Sequence, residues 1–130
     1  MDGFGGVAVR AVELVGKGTC GSAPEAWETA AREVFPHSRS QQVKSCPRGA
    51  FLGLCEEGLV SGIPPGNYTT SRDNKAYAVR AAALLGKNPA LADAGARALW
   101  NTVLAGHSKV HNAQMDVVLG LHRRDLLRRD

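Results

Sequence analysis

Ser45-Cys-Pro-Arg-Gly-Ala-Phe-Leu-Gly-Leu-Cys-Glu-Glu-Gly-Leu-Val60 reads as a whole helix, with its start, its buried face and its stop all present in side-chain chemistry. Ser45 offers a hydroxyl to a first-turn amide and is a good N-cap. Pro47 falls in the first turn, where a missing N–H is no loss. Ala50, Phe51, Leu54 and Cys55 recur at helical spacing and define one apolar face. Gly58 suits the left-handed residue just past a helix end, so Leu59 should fold back onto Leu54 in a Schellman motif. The length is about three turns, the mean for globular helices. Glu56 and Glu57 occupy the last turn, where the helix dipole disfavours anions, so cationic partners are expected for both.

Similar signals extend to either side. A first helix runs from about Gly5 to Val15, with Val7, Ala11, Leu14 and Val15 inward, and ends at Gly16-Lys-Gly18. Ser22-Ala-Pro-Glu25 is a capping box with proline in the first turn. It opens a second helix that carries Trp27, Ala30, Ala31, Val34 and Phe35 and stops at Pro36. Pro36 to Lys44 reads as a polar loop before the central helix, the third. Ser61 to Thr70, with Ile63-Pro-Pro-Gly-Asn-Tyr68, is a turn-rich connector without regular structure. A fourth helix starts at Ser71 or Asp73 and passes Tyr77, Ala78, Ala81, Leu84 and Leu85 to Gly86. Asn88-Pro89 caps a short turn, a fifth helix covers roughly Ala94 to Leu104, and Gly106 to Asn112 is a loop. A sixth helix begins after Asn112 and reaches toward Leu127. Nothing alternates with the period of a strand, so the expected class is all-α with six main helices.

The second half echoes the first. Ala8-Val-Arg-Ala-Val-Glu-Leu-Val-Gly-Lys17 matches Ala78-Val-Arg-Ala-Ala-Ala-Leu-Leu-Gly-Lys87 at seven of ten positions. Trp27 and Trp100, His37-Ser38 and His107-Ser108, and the Leu-Gly-Leu triplets at Leu52 and Leu119 follow in the same order. Ser45 and Asn112, both good caps, then fall in register. The expectation is two pseudo-repeated three-helix units, about 1–60 and 71–130, joined by the connector 61–70 and packed as a single helical domain over 1–130. In that register Glu56 and Glu57 correspond to Arg123 and Arg124, a charge complement that would suit helix ends meeting each other.

A chain of 130 residues with 44% apolar content is long enough to bury one core. The N-terminal stretch Met1 to Gly6 lacks a basic region, and no apolar run reaches the ~18–20 residues of a membrane span, so neither a signal peptide nor a membrane anchor is expected. Cys20, Cys46 and Cys55 form an odd set without Cys-x-x-Cys spacing, which fits reduced thiols in a cytoplasm. The net charge of +4 is uneven. Residues 1–65 hold six Lys/Arg and seven Asp/Glu, whereas residues 66–130 hold ten and five. The excess peaks in Arg123-Arg-Asp-Leu-Leu-Arg-Arg129. Such asymmetry allows an anionic partner; a solvated helix end is the plainer reading.

The stretch Cys46 to Thr69 and the block His111-Asn-Ala-Gln-Met-Asp-Val-Val-Leu119 resemble the two signatures of a small family of functionally uncharacterised bacterial proteins. The likeness covers nearly the whole chain. Where the family's second unit closes with an acid-and-glycine turn, this chain has Arg123-Arg-Asp125. The resemblance implies a bacterial, cytoplasmic setting. It implies no activity and no catalytic residues.

The loops before the third and sixth helices are the best candidate sites. His37, Arg39, Lys44 and Arg48 belong to one, and His107, Lys109 and His111 to the other. Cations beside the free amides of a helix N-terminus suit phosphate or carboxylate. The plainer reading is a hydrophilic loop whose side chains satisfy local backbone groups. Cys46 at a helix start would be a stabilised thiolate with His37 as the nearest base in sequence, but a structural cysteine is the commoner case. Cys55, Trp27 and Trp100 belong to the core. His107, His111 and His122 lack a carboxylate or thiol at ligand spacing, so no metal site is expected. No glycine-rich phosphate loop, Gly-x-Ser-x-Gly elbow or paired-carboxylate motif occurs, so neither a cofactor nor a catalytic residue is assigned.

Three functions therefore compete. The first is a non-enzymatic nucleic-acid-binding or regulatory module that contacts phosphates through the loop–helix N-termini and the basic second half. Its loops are longer than the turn of about three or four residues in a helix-turn-helix, which argues against simple major-groove reading. The second is a protein–protein adaptor or dimerising scaffold, including a homodimer, whose sign would be an exposed apolar patch around Ile63 to Tyr68. The third is a Cys/His enzyme, which needs those groups to converge in one pocket.

Overall fold

The structure is a computed structural model and describes residues 3–128. Met1, Asp2, Arg129 and Asp130 lie outside the described residues, and with them the acid of the N-terminal stretch and the last arginine of the basic tail. Among the described residues seven α-helices form: α1 (Gly3–Gly16), α2 (Ala23–Val34), α3 (Arg39–Gln42), α4 (Ser45–Glu56), α5 (Arg72–Lys87), α6 (Ala96–Leu104) and α7 (Gln114–Arg123). A 3₁₀ turn over Pro89–Ala94 precedes α6. The fold is all-α. Among the described residues the one β feature is an isolated antiparallel bridge between Val60 and Leu127.

Local chemistry explains most boundaries. At α2 the Ser22 hydroxyl accepts from the Glu25 N–H (3.4 Å), and the Glu25 carboxylate reaches back to the Gly21 N–H (3.1 Å), one residue earlier than in a standard capping box. Helix α3 corrects the reading of 36–44 as a polar loop, since one helical turn forms within it. Its Ser38 hydroxyl accepts from the Gln41 N–H (3.4 Å), the same device on a single turn. Ser45 is already helical, so Lys44 is the cap of α4 and no side chain bonds there, against the expectation that Ser45 caps it. Asn112 does not cap α7 either. Ala113, left-handed at φ 67°, precedes that helix, and the His111 Nε2 accepts from the Met115 N–H at 3.1 Å.

The end of α4 is as expected. The Leu59 N–H donates to the Leu54 carbonyl (3.1 Å) and the Gly58 N–H to the Cys55 carbonyl (3.0 Å), with Gly58 at φ 71°. Helix α7 closes with the same pair of bonds, Leu126 N–H to Leu121 O (2.9 Å) and Asp125 N–H to His122 O (3.0 Å). It therefore stops at Arg123 and does not run on toward Leu127, because Asp125 turns left-handed at φ 57°. The two exits pair with each other: Ser61 N–H donates to Leu126 O and Arg128 N–H to Leu59 O, both at 2.8 Å.

The apolar faces meet in one continuous cluster that takes in Trp27, Phe51, Leu85, Leu99, Trp100, Met115 and Leu121. Each such side chain, fully buried, contributes on the order of 1.5–3 kcal/mol. Helix α4 lies against α5, and α1 against α7, at glycine contacts. A Cβ on Gly53 would sit 2.5 Å from the Lys75 Cβ and 2.6 Å from its Cα, and a Cβ on Gly120 would sit 2.6 Å from the Gly5 Cα. Neither crossing could be this close with a side chain in those places.

Glu56 and Glu57 do find a cation, and it is Lys75. Its Nζ lies 2.9 Å from Glu56 Oε2 and 3.0 Å from Glu57 Oε2. The complement with Arg123 and Arg124 is not formed: Arg123 donates instead to the Ala92 carbonyl (3.4 Å). Glu56 Oε1 also accepts from the backbone N–H groups of Tyr68 (2.6 Å) and Thr69 (2.8 Å), which fastens the irregular connector to the end of α4. Ile63, expected on an exposed apolar patch, is 2% exposed and belongs to the core instead.

Candidate functional site

Two cavities flank the first turn of α4. The first, of about 300 Å³, is lined by Glu28, Arg32, Arg39, Gln42, Val43 and Arg48. Its three arginines come from three helices, α2, α3 and α4. Arg39 and Arg48 were expected as anion ligands, and the fold brings them together. Arg32 was missed, because on the sequence alone it reads as the solvated face of α2. The one carboxylate in the lining is Glu28, whose Oε1 lies 3.6 Å from Arg48 Nη2. Arg32 and Arg39 are exposed and form no ion pair among the described residues.

The second cavity, of about 410 Å³, opens where the first turns of α4, α5 and α7 meet. Cys46, Ser71, Arg72, Asp73, Asn74, Tyr77, Lys109, Val110, Asn112 and Gln114 are among its lining. Three helix N-termini thus point their partial positive charge at one region, with Arg72 and Lys109 beside it. Its floor is a hydrogen-bonded polar set. The buried Gln114 donates to Asn74 Oδ1 (3.0 Å) and accepts the Asn112 N–H (2.7 Å), and Asn74 donates to Ser71 Oγ (2.9 Å). Gln114 thereby ties α7 to α5. Arg72 and Gln114 were not foreseen, since only the tertiary meeting of three helix starts gives them a common place.

The remaining candidates divide. Lys109 lines the second cavity, and its carbonyl accepts from the Trp100 indole N–H (2.9 Å), which anchors the loop. His111 faces inward, tilted against Trp100 with ring centroids 5.2 Å apart. Its Nε2 is engaged by the Met115 amide, and burial lowers its pKa, so it serves as a neutral cap. Lys44 lies over the Phe4 ring, 5.9 Å from its centroid. His37 and His107 are exposed and line neither cavity.

Cys46 lines the second cavity without His37, so the two are not gathered in one pocket. Burial raises the Cys55 thiol pKa and leaves it an inert core residue. Among the described residues no three His, Cys, Asp or Glu side chains lie close enough together to hold a metal ion.

The model of a family of unknown function, DUF6979, matches residues 1–128, and the chain belongs to that family. No curated protein and no solved structure matches it. No described helix is long and apolar enough to cross a membrane.

Proposed function

We propose that this chain is a non-enzymatic nucleic-acid-binding helical module that seats backbone phosphates on the cationic end of its bundle. The observation that carries the reading is the meeting of Arg32, Arg39, Arg48, Arg72 and Lys109 around two cavities on either side of one helix turn, against Glu28 and Asp73 alone. Phosphate neutralisation by clustered bases is the main source of sequence-independent affinity for nucleic acids, and helix N-termini add oriented amides to it. An adaptor would gain support from a contiguous apolar surface; among the described residues the exposed large hydrophobics are Val43 and Val110, which line different cavities. The Cys/His enzyme would need a histidine beside Cys46, and none lines that cavity.

The same reading treats 1–60 and 71–130 as pseudo-repeated units packed as one domain. The matching Schellman bonds, the reciprocal pair between Leu59-Val-Ser61 and Leu126-Leu-Arg128, and the glycine crossings at Gly53 and Gly120 support it. It also assigns the protein to a bacterial cytoplasm, in keeping with three free cysteines.

The test is fluorescence anisotropy of labelled random duplex DNA and single-stranded RNA, at low and near-physiological salt. Micromolar binding should weaken with a log–log salt slope of roughly −3.5 for the single strand and −4.5 for the duplex, as about five phosphate contacts require. Arg32→Ala combined with Arg39→Ala should reduce both slopes. Absence of binding to either probe at low salt would refute the proposal.

A further inference from the structure

From the arginine cavity we infer a more particular ligand: it is a receptor for the terminal phosphomonoester of a nucleic-acid strand. This rests on the proposed phosphate-binding role and narrows it. Three arginines on α2, α3 and α4 line a cavity of about 300 Å³, at the lower end of the range for small-molecule sites. Such a space takes one nucleotide end. A backbone phosphodiester would have to bring a sugar in on both sides, whereas a terminal phosphate enters head first and the strand leaves through the opening.

The charges point the same way. A terminal phosphate carries about −1.5 to −2 charges near neutral pH and presents three acceptor oxygens, against one charge and two free oxygens for a diester. Arginine's planar fork suits paired donation to such a group. Arg32 and Arg39 make no ion pair among the described residues, and Glu28 stands 3.6 Å from Arg48, longer than a tight charge-assisted bond. An incoming dianion would relieve the mutual repulsion of the three cations. Val43, 52% exposed in the same lining, offers an apolar contact for the terminal sugar or base.

The experiment compares two labelled single strands of identical sequence, one with a 5′-phosphate and one with a 5′-hydroxyl, by anisotropy with the full chain. The phosphorylated strand should bind at least about tenfold more tightly, the worth of one added charge-assisted bond. That gap should vanish in Arg39→Ala/Arg48→Ala and persist in part in Arg39→Lys, which keeps the charge and loses the fork; circular dichroism checks the fold of each. Equal affinity of the wild type for the two strands overturns the inference and leaves the general phosphate role standing. Failure of both strands to bind at low salt overturns both.

Discussion

Replacing Gly53 by alanine should destabilise the protein by about 1–2 kcal/mol net, even though alanine is the better helix former. The gain in helix propensity is at most about 1 kcal/mol. Against it stands the α4–α5 contact, where the new methyl carbon would lie 2.5 Å from the Lys75 Cβ and 2.6 Å from its Cα. Ordinary contact begins at 3.4 Å, so the two backbones must part by nearly 1 Å. A Cα cannot swing aside as a flexible side-chain end can. A gap of that size forfeits roughly a quarter to a half of the dispersion energy of the side chains around it. Ala50, Leu54, Ala78 and Ala81, all fully buried, belong to that layer. Overpacking of this kind costs typically about 1–3 kcal/mol, and occasionally more.

The control is Gly86→Ala, in the facing helix α5, where a Cβ meets nothing within 4 Å. It should stabilise by about 0.5–1 kcal/mol. Urea unfolding followed by circular dichroism measures both. A Gly53→Ala variant as stable as the wild type would refute the close crossing.

Three more predictions concern single residues. Asp125→Gly should stabilise by about 1 kcal/mol in thermal melts, because Asp125 holds at φ 57° the left-handed place that Gly58 holds at φ 71°. Glu56, held at a pKa of about 2 mainly by the Thr69 N–H and Lys75, contributes stability that is complete above its unfolded value of 4.5 and is lost as pH falls toward 2. Glu56→Ala should cost about 2–4 kcal/mol at neutral pH and flatten that acid limb of a urea-midpoint profile. His111, kept below its ordinary 6.5 chiefly by burial, with Asp116 opposing and Arg97 adding, caps α7 only when neutral. Stability should therefore fall as pH drops through about 6.5, and His111→Ala should be weaker at pH 7.5 yet change less between pH 7.5 and 5.5.

Much of the fold was legible because helix starts, apolar faces and stops are local chemistry. The Schellman end at Gly58 and the need of Glu56 and Glu57 for a cation followed from single residues. The cation's identity did not. Register matching pointed to Arg123 and Arg124, whereas Lys75 arrives across the α4–α5 crossing, a tertiary fact. Helix α3 escaped because four residues carry no periodicity, although Ser38-Arg-Ser-Gln41 is a capping pattern. The cap of α7 escaped because a histidine four residues upstream performs it, outside the usual Ser, Thr, Asp and Asn rule.

The candidate site was half visible. Arg39 and Arg48 flank the start of α4 and line one cavity, while Arg32, on the body of α2, and Arg72, at the start of α5, take their places only through packing. The two stretches that carry the family resemblance prove largely structural in this chain. Gly53 admits α5, Glu56 fastens the connector, Gly58 ends α4, His111 caps α7 and Gln114 joins it to α5.

The most direct test of phosphate binding at the cationic end is a ¹⁵N amide-shift titration with a short single-stranded oligonucleotide at low salt. The account predicts that shifts concentrate on Arg32, Arg39, Arg48, Arg72 and Lys109 and the turns around them, while the far end of α5, near Gly86, stays still. Shifts centred on that far end, or none at all, would contradict it.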